Sequence, residues 1–195
     1  MTRLLLLAVV LLAAGCASRP AHLLPEDDLT DDAWSLTDHT GAPFAFPADV
    51  AGRPALVTAI YTHCPDVCIM TMANQRRIRD ALGADTARVA FVTLTFDPAR
   101  DTPEVLAAHA ALWRTGPGWR LATADTTTTG RLMRRLGIRS EVSARDTLDD
   151  GTPTYSIAHT DKLLLLDADG RVVETYGGSA APPDMVVADT RALLP

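Results

Sequence analysis

One stretch restricts the fold of this chain more than any other. The apolar run Ala55-Leu-Val-Thr-Ala-Ile60 passes straight into Tyr61-Thr-His-Cys-Pro-Asp-Val-Cys68 and then into a segment of helical periodicity. The span from Pro54 to Tyr61 is short and holds β-branched residues, which predicts a buried strand. From Asp66 to Leu82, Val67, Met70, Ala73, Ile78, Ala81 and Leu82 fall mostly on one helical face, and Gly83 stops the helix. A buried strand therefore feeds a helix, and two cysteines stand at the junction.

The pattern repeats downstream. Arg88 to Phe96 predicts a second buried strand. Asp101-Thr-Pro-Glu104 reads as a helix start, with proline near the first turn and acids at the positive end, and the helix runs to about Trp113. Trp119 to Thr123 is a short strand, and Thr128 to Leu136 a helix stopped by Gly137. Ser140 to Tyr155 is polar and reads as irregular, with a turn at Asp149-Asp150-Gly151. Leu163 to Asp167 and Val172 to Tyr176 are apolar strands joined by a turn at Ala168-Asp-Gly170, and Pro182 to Leu194 closes the chain as a helix. Upstream, alternation from Trp34 to Asp38, a turn at Thr40-Gly41 and a return through Phe44 and Phe46 predict a hairpin. Strand–helix alternation implies parallel pairing with helices on both faces, and the late hairpin adds antiparallel strands. The fold class is α/β: a thioredoxin-like central mixed β-sheet flanked by helices, with an N-terminal β-hairpin extension. Cys64 then lies at the carboxyl end of the first core strand, the edge where sites in open α/β sheets gather.

The first residues read as a targeting segment. Arg3 is followed by the apolar stretch Leu4 to Ala14, too short for a membrane span of about 20 residues. It ends in Ala13-Ala14-Gly15-Cys16, which resembles the bacterial lipoprotein box with its leucine displaced to Leu12. Residues 1–15 are expected as the signal peptide, Cys16 as the lipidated first residue, 16–33 as a flexible tether and 34–195 as the folded domain. The tether reading rests on Pro20, Pro25 and the acidic run Glu26-Asp27-Asp28. The protein is thus expected as a membrane-anchored lipoprotein facing the periplasm of a bacterial envelope. A net charge of −6 argues against a nucleic-acid partner.

If Cys16 carries lipid, the three cysteines fall to the pair Cys64 and Cys68. Cys64 is expected near the helix N-cap and Cys68 in the first turn, where the helix dipole lowers a thiol pKa. Residues four apart face one side, so both sulfurs can clamp one soft metal ion. They can also form a redox disulfide, although helical Cβ atoms about 5–6 Å apart must close to about 3.8 Å. Inert buried cysteines are the third possibility, and spacing alone leaves all three open.

Four stretches together resemble the Sco/SenC copper chaperone family. Tyr61 to Cys68 is similar to its metal-binding loop, and Thr95-Phe-Asp-Pro-Ala-Arg-Asp-Thr-Pro103 to its Asp-Pro-x-Arg-Asp-Thr-Pro motif. Trp34-Ser-Leu-Thr-Asp38 with Gly41 resembles its N-terminal hairpin. Ile157-Ala-His159, ahead of Leu163-Leu-Leu-Leu-Asp167 and Gly170, resembles the segment carrying its ligand histidine. The resemblance implies Cys64, Cys68 and His159 as ligands of one copper ion, with a Cys64–Cys68 disulfide when oxidised. It also implies delivery of copper to, or redox preparation of, the binuclear copper site of cytochrome c oxidase, with subunit II as partner. Two thiolates and an imidazole suit Cu(I), and Cu(II) in a partly open site, whereas zinc usually takes four ligands. Two positions depart from the family: Ile69 stands where a proline usually follows the second cysteine, and Ala158 where an acid commonly precedes the histidine. The alternative function is a thiol–disulfide reductase using Cys64 and Cys68 on client cysteines.

Other candidates read as structural. His63 diverges from Cys64, Met70 and Met72 pack in the core, His22 and His39 are solvated, and His109 lies on a helix surface. Asp101 caps a helix after the rigid turn at Pro98, Asp97 and Arg100 shape that loop, and Asp66 caps the first helix. Gly151-Thr-Pro-Thr154 lies too far ahead of the Leu163 strand to serve as a cis-proline loop, which counts against a general thioredoxin-type oxidoreductase.

Overall fold

The computed structural model describes residues 20–195. The described strands are β1 (Asp27–Asp28), β2 (Trp34–Asp38), β3 (Pro43–Phe46), β4 (Ala55–Ile60), β5 (Ala90–Thr95), β6 (Trp119–Thr123), β7 (Ser140–Thr147), β8 (Pro153–His159), β9 (Leu163–Leu166) and β10 (Arg171–Tyr176). The helices are α1 (Val67–Leu82), α2 (Pro103–Trp113), α3 (Thr126–Arg135) and α4 (Pro183–Ala192). Eight strands form one sheet in the order β1-β10-β9-β4-β5-β6-β2-β3. β4, β5 and β6 run parallel, each linked to the next element by a helix, while β9 joins β4 antiparallel and β2 joins β6 antiparallel. This is the expected mixed thioredoxin-like sheet, with the hairpin β2–β3 on one edge.

The core lies on the strands nearest the cysteine loop. Every residue of β4, β5 and β9 is buried, which is why these segments read as continuous apolar runs rather than alternating ones. The edge strands alternate instead: β2 and β3 turn Trp34, Leu36, Phe44 and Phe46 inward.

Three expectations change. Ser140 to Tyr155 is not irregular: β7 and β8 form a separate two-stranded hairpin, paired from Ser140↔His159 to Thr147↔Pro153. Residues 141–147 are exposed on both faces, so the alternation that marks a half-buried strand is absent from the sequence. Within the segment expected as a tether, residues 20–33 pack on the domain. Leu23 and Leu29 are buried, β1 pairs with β10, and Arg135 binds Asp27 and Asp32. Two anchoring leucines in a polar stretch are too sparse to show periodicity. The segment expected as a signal peptide, and Cys16, lie outside the described residues.

The third change concerns α1. Its inner face is Cys68, Thr71, Met72, Asn74, Gln75, Ile78 and Leu82, and Met70 is half exposed. Most polar groups on this face are satisfied, which lets them face inward, while Gln75 Nε2 finds no partner among the described residues. Thr71 Oγ1 donates to Asp161 Oδ1 (2.9 Å) and Asn74 Nδ2 to the Gly178 and Ala181 carbonyls (3.0 and 2.9 Å). Gln75 Oε1 accepts from Thr93 Oγ1 (3.0 Å). Met72, by contrast, is fully buried as expected.

Candidate metal centre

The site forms where β4 ends. Phe96 N–H donates to Ile60 O (3.1 Å) and Cys64 N–H to Tyr61 O (3.2 Å), so the chain turns off the sheet with Cys64 at the turn. α1 begins at Val67 and places Cys68 in its first turn. Asp66 stands at the N-cap position but makes no side-chain cap, contrary to expectation; its carbonyl accepts from Ile69 N–H (3.0 Å). Both cysteines are free and buried, with 8% of Cys64 and 3% of Cys68 exposed.

His159 arrives from the other direction, as the last residue of β8. Its Nε2 lies 3.4 Å from Cys68 Sγ, and one donor atom from each of Cys64, Cys68 and His159 lies within 4.8 Å of the others. A three-coordinate ion with bonds of about 2.3 Å to sulfur and about 2.0 Å to nitrogen spaces its donors about 3.7–4.0 Å apart. The donor set therefore fits a soft ion after closing by less than about 1 Å. Nδ1 lies 3.3 Å from Thr160 O, a contact of the kind that fixes a ligand histidine's tautomer and leaves the other nitrogen free to bind. The Phe96 ring lies tilted against the imidazole, with centroids 4.5 Å apart.

The Thr95–Pro103 segment holds these two halves together. Asp101, wholly buried, accepts from Thr62 N–H (3.1 Å), Thr62 Oγ1 (2.5 Å) and Thr95 Oγ1 (2.5 Å). It is not the helix cap expected; Thr102 caps α2, accepting from Val105 N–H (3.4 Å). Asp101 instead ties the cysteine loop to β5. Asp97 accepts from Tyr155 Oη (2.6 Å) and Arg100 Nε (2.5 Å). Arg100 also donates to Tyr155 O (3.1 Å) and lies 3.5 Å over the Tyr155 ring. Tyr155 belongs to β8, so this cluster fastens the hairpin four residues before His159. Beyond His159, Asp161 accepts from Thr71 Oγ1 on α1 and from Ser179 N–H (2.7 Å) and Oγ (2.6 Å). Gly178 is required there, because a Cβ would stand 2.2 Å from Asp161 Oδ1.

Burial pushes the Cys68 thiol well above its ordinary pKa; the Tyr61 backbone opposes this, while Cys64 and Asp161 add to it. The expected acidification of Cys68 by the helix start is thus outweighed, because the sulfur is packed rather than open. Burial likewise raises the Tyr61 phenol, whose oxygen accepts from Ile157 N–H (3.3 Å). Two cavities flank the site. One of about 380 Å3 touches Tyr61, Cys64, Cys68, Ile69, Leu112 and Trp113 and is mainly apolar. The other, about 890 Å3, lies against His159.

The SCO1/SenC family model matches residues 24–195. The chain belongs to the SCO1/SenC family. A relative from Stutzerimonas stutzeri is 33% identical over 136 residues, 69% of this chain and 63% of its own. The mouse protein named Protein SCO2 homolog, mitochondrial, is 28% identical over 155 residues, 78% of this chain and 58% of its own. The matched region thus spans about three-fifths of the length of each of these relatives. Among solved structures, Bradyrhizobium japonicum ScoI with copper bound is 26% identical, with a TM-score of 0.72 over 84% of this chain and 98% of its own. Apo Sco1 from Thermus thermophilus is 25% identical, with a TM-score of 0.69 over 88% of this chain and 94% of its own. The SCO1/SenC match begins ahead of Leu29, in keeping with the packing of that residue into the domain.

The remaining histidines of this SCO1/SenC chain fall elsewhere. His63 is exposed and turned to Thr62 Oγ1 (3.1 Å), as expected. His22 is not simply solvated: its Nε2 lies 2.8 Å from Asp189 Oδ1. His39 Nδ1 accepts from Leu121 N–H (3.2 Å). His109 faces the apolar cavity shared with the cysteines, with a buried, unpartnered Nε2. Tyr61, Thr62, Phe96, Tyr155 and Asp161 support the site and were not anticipated individually. The one sequence signal pointing to them was the Asp97–Asp101 motif, whose acids outnumber what a helix cap needs.

Proposed function

We propose that this chain carries one copper ion on Cys64, Cys68 and His159 and passes it to an acceptor protein outside the cytoplasm. The single observation that carries this reading is the convergence of two free sulfurs and one imidazole nitrogen within 4.8 Å. That donor set is soft and low in number, which suits Cu(I). The copper-bound ScoI relative and the family match support it. With only three donors, an incoming thiolate of the acceptor can displace them stepwise. The acceptor proposed is the binuclear copper site of cytochrome c oxidase, on subunit II, a reading the family resemblance supports. Residues 1–15 are proposed as a signal peptide and Cys16 as the lipid attachment that keeps the domain at the membrane. Among the described residues, no helix is long and apolar enough to cross a membrane.

A second reading is thiol–disulfide reduction. It is supported by the same two free cysteines opening on an apolar cavity that a client segment can enter. The two thiols would give two electrons and two protons to a client disulfide and close a Cys64–Cys68 bond. Copper titration of the reduced and the oxidised protein separates the readings. One equivalent bound by the reduced form alone supports copper carriage. No binding by either form, with rapid reduction of a disulfide substrate, replaces it with the reductase reading.

A further inference from the structure

We infer that the cleft against His159 is a docking site for an acidic segment of the copper-accepting protein; this rests on the copper-carrying reading above. The cleft, about 890 Å3, lies between the end of α3 and the base of the β7–β8 hairpin. Arg134 and Arg139 line it, Gly137 forms its floor, and Ala158 and His159 form its far wall. Its lining contains one carboxylate, Glu141. Lys162 Nζ stands 2.8 Å from where a Gly137 side chain would begin, but it lines the neighbouring cleft that also holds Glu26 and Asp27. Gly137 has φ +63°, so both backbone and space keep this position free of a side chain.

The charge here runs against the rest of the molecule. The chain carries −6 overall, and most nearby arginines are already neutralised: Arg135 by Asp27 and Asp32, Arg100 by Asp97, Arg171 by Asp167. Arg134, Arg139 and Lys162 make no ion pair with any described residue, and both arginines are exposed. Two cations against one carboxylate line the cleft and form a local positive surface beside a donor of the metal site. Such a surface selects an acidic partner and orients its approach.

The placement also couples docking to the site. Thr160 N–H donates to Arg139 O (2.9 Å), and Arg139 N–H donates to Thr160 Oγ1 (3.2 Å). The backbone of Arg139 is therefore bonded to the residue after His159. A segment seated on the Arg134 and Arg139 side chains sits beside the imidazole, where its own donors can replace His159.

The test uses the purified protein, copper-loaded and copper-free, with a twelve-residue peptide alternating glutamate and glycine. A glutamine version of the peptide is the control. Wild type is expected to bind the glutamate peptide at least tenfold more tightly than the glutamine peptide at low salt, with amide shifts at Gly137, Ala158 and His159. The R134E/R139E variant is expected to lose at least tenfold while keeping its copper stoichiometry. Equal binding of the glutamate peptide by both proteins overturns the inference. Tighter binding of phosphatidylglycerol vesicles through the same arginines also overturns it, reassigning the cleft to a membrane surface. Peptide binding is read on copper-free protein as well, so failure of wild type to bind copper would remove the copper reading while the cleft is still judged.

Discussion

Cys64 and Cys68 leave a strand whose every residue is buried, whereas His159 ends a strand that pairs only with its own hairpin partner. The cysteines are set by the main sheet and by the first turn of α1. The histidine is set by a surface arm clamped at Tyr155 and at Asp161. One half of the site is therefore as firm as the core, and the other is held by a few polar contacts that can be loosened without unfolding the domain. A carrier that must hold its ion and then give it up gains from that asymmetry, because one donor can leave while two remain.

The largest expected effect breaks the firm half. Cys68→Ser should lower copper affinity by at least a thousandfold, read by competition with a chelator, with the melting temperature little changed. Asp101→Ala should follow. It leaves Thr62 N–H, Thr62 Oγ1 and Thr95 Oγ1 without their buried acceptor, at a cost of about 3 kcal/mol in denaturant unfolding. Arg100→Ala addresses the adjustable half. It strips Asp97 of its cation and Tyr155 of its stacked guanidinium. Global stability should fall by about 2 kcal/mol, a moderate value because the arginine is partly exposed. Hydrogen exchange should rise selectively along residues 153–159, and copper affinity should drop about tenfold. If exchange rose equally in β4, the two halves would not be mechanically distinct.

A graded rather than a disabling effect is expected from pH. Burial raises the Cys68 thiol, so near neutrality copper must displace its proton, and affinity should climb about tenfold per pH unit for each proton released between pH 6 and 8. A flat profile would mean that the sulfur is already a thiolate. The smallest effect concerns His109, which burial holds below its ordinary pKa. The unfolded chain then takes up that proton more readily. The stability that follows from the shift is present above the ordinary histidine range and is lost as pH falls through the folded value. His109→Gln should flatten that part of the stability profile.

The buried strands of the sheet are legible because burial on both faces writes itself as apolar runs at Ala55–Ile60, Ala90–Thr95 and Leu163–Leu166. The hairpin carrying His159 is not, because residues exposed on both faces leave no period to read. The inner face of α1 is not legible for a related reason: Thr71, Asn74 and Gln75 are buried through distant partners at Asp161, Gly178 and Thr93, and no local pattern announces them. The three donors were named together only through the family resemblance. Spacing alone left Cys64 and Cys68 open to three chemistries, and nothing local to His159 distinguished it from a strand-edge histidine. The roles of Asp97, Arg100 and Asp101 emerged only when the fold brought Thr62 and Tyr155 to them.

The most direct test of this account is Cu(I) affinity and metal-edge spectroscopy on His159→Ala beside wild type. Both proteins should bind one equivalent through Cys64 and Cys68. The variant should lose the imidazole signature and bind ten- to a thousandfold more weakly. Unchanged affinity with an unchanged spectrum would contradict it, showing that the exposed arm contributes no donor and that the cysteines act alone.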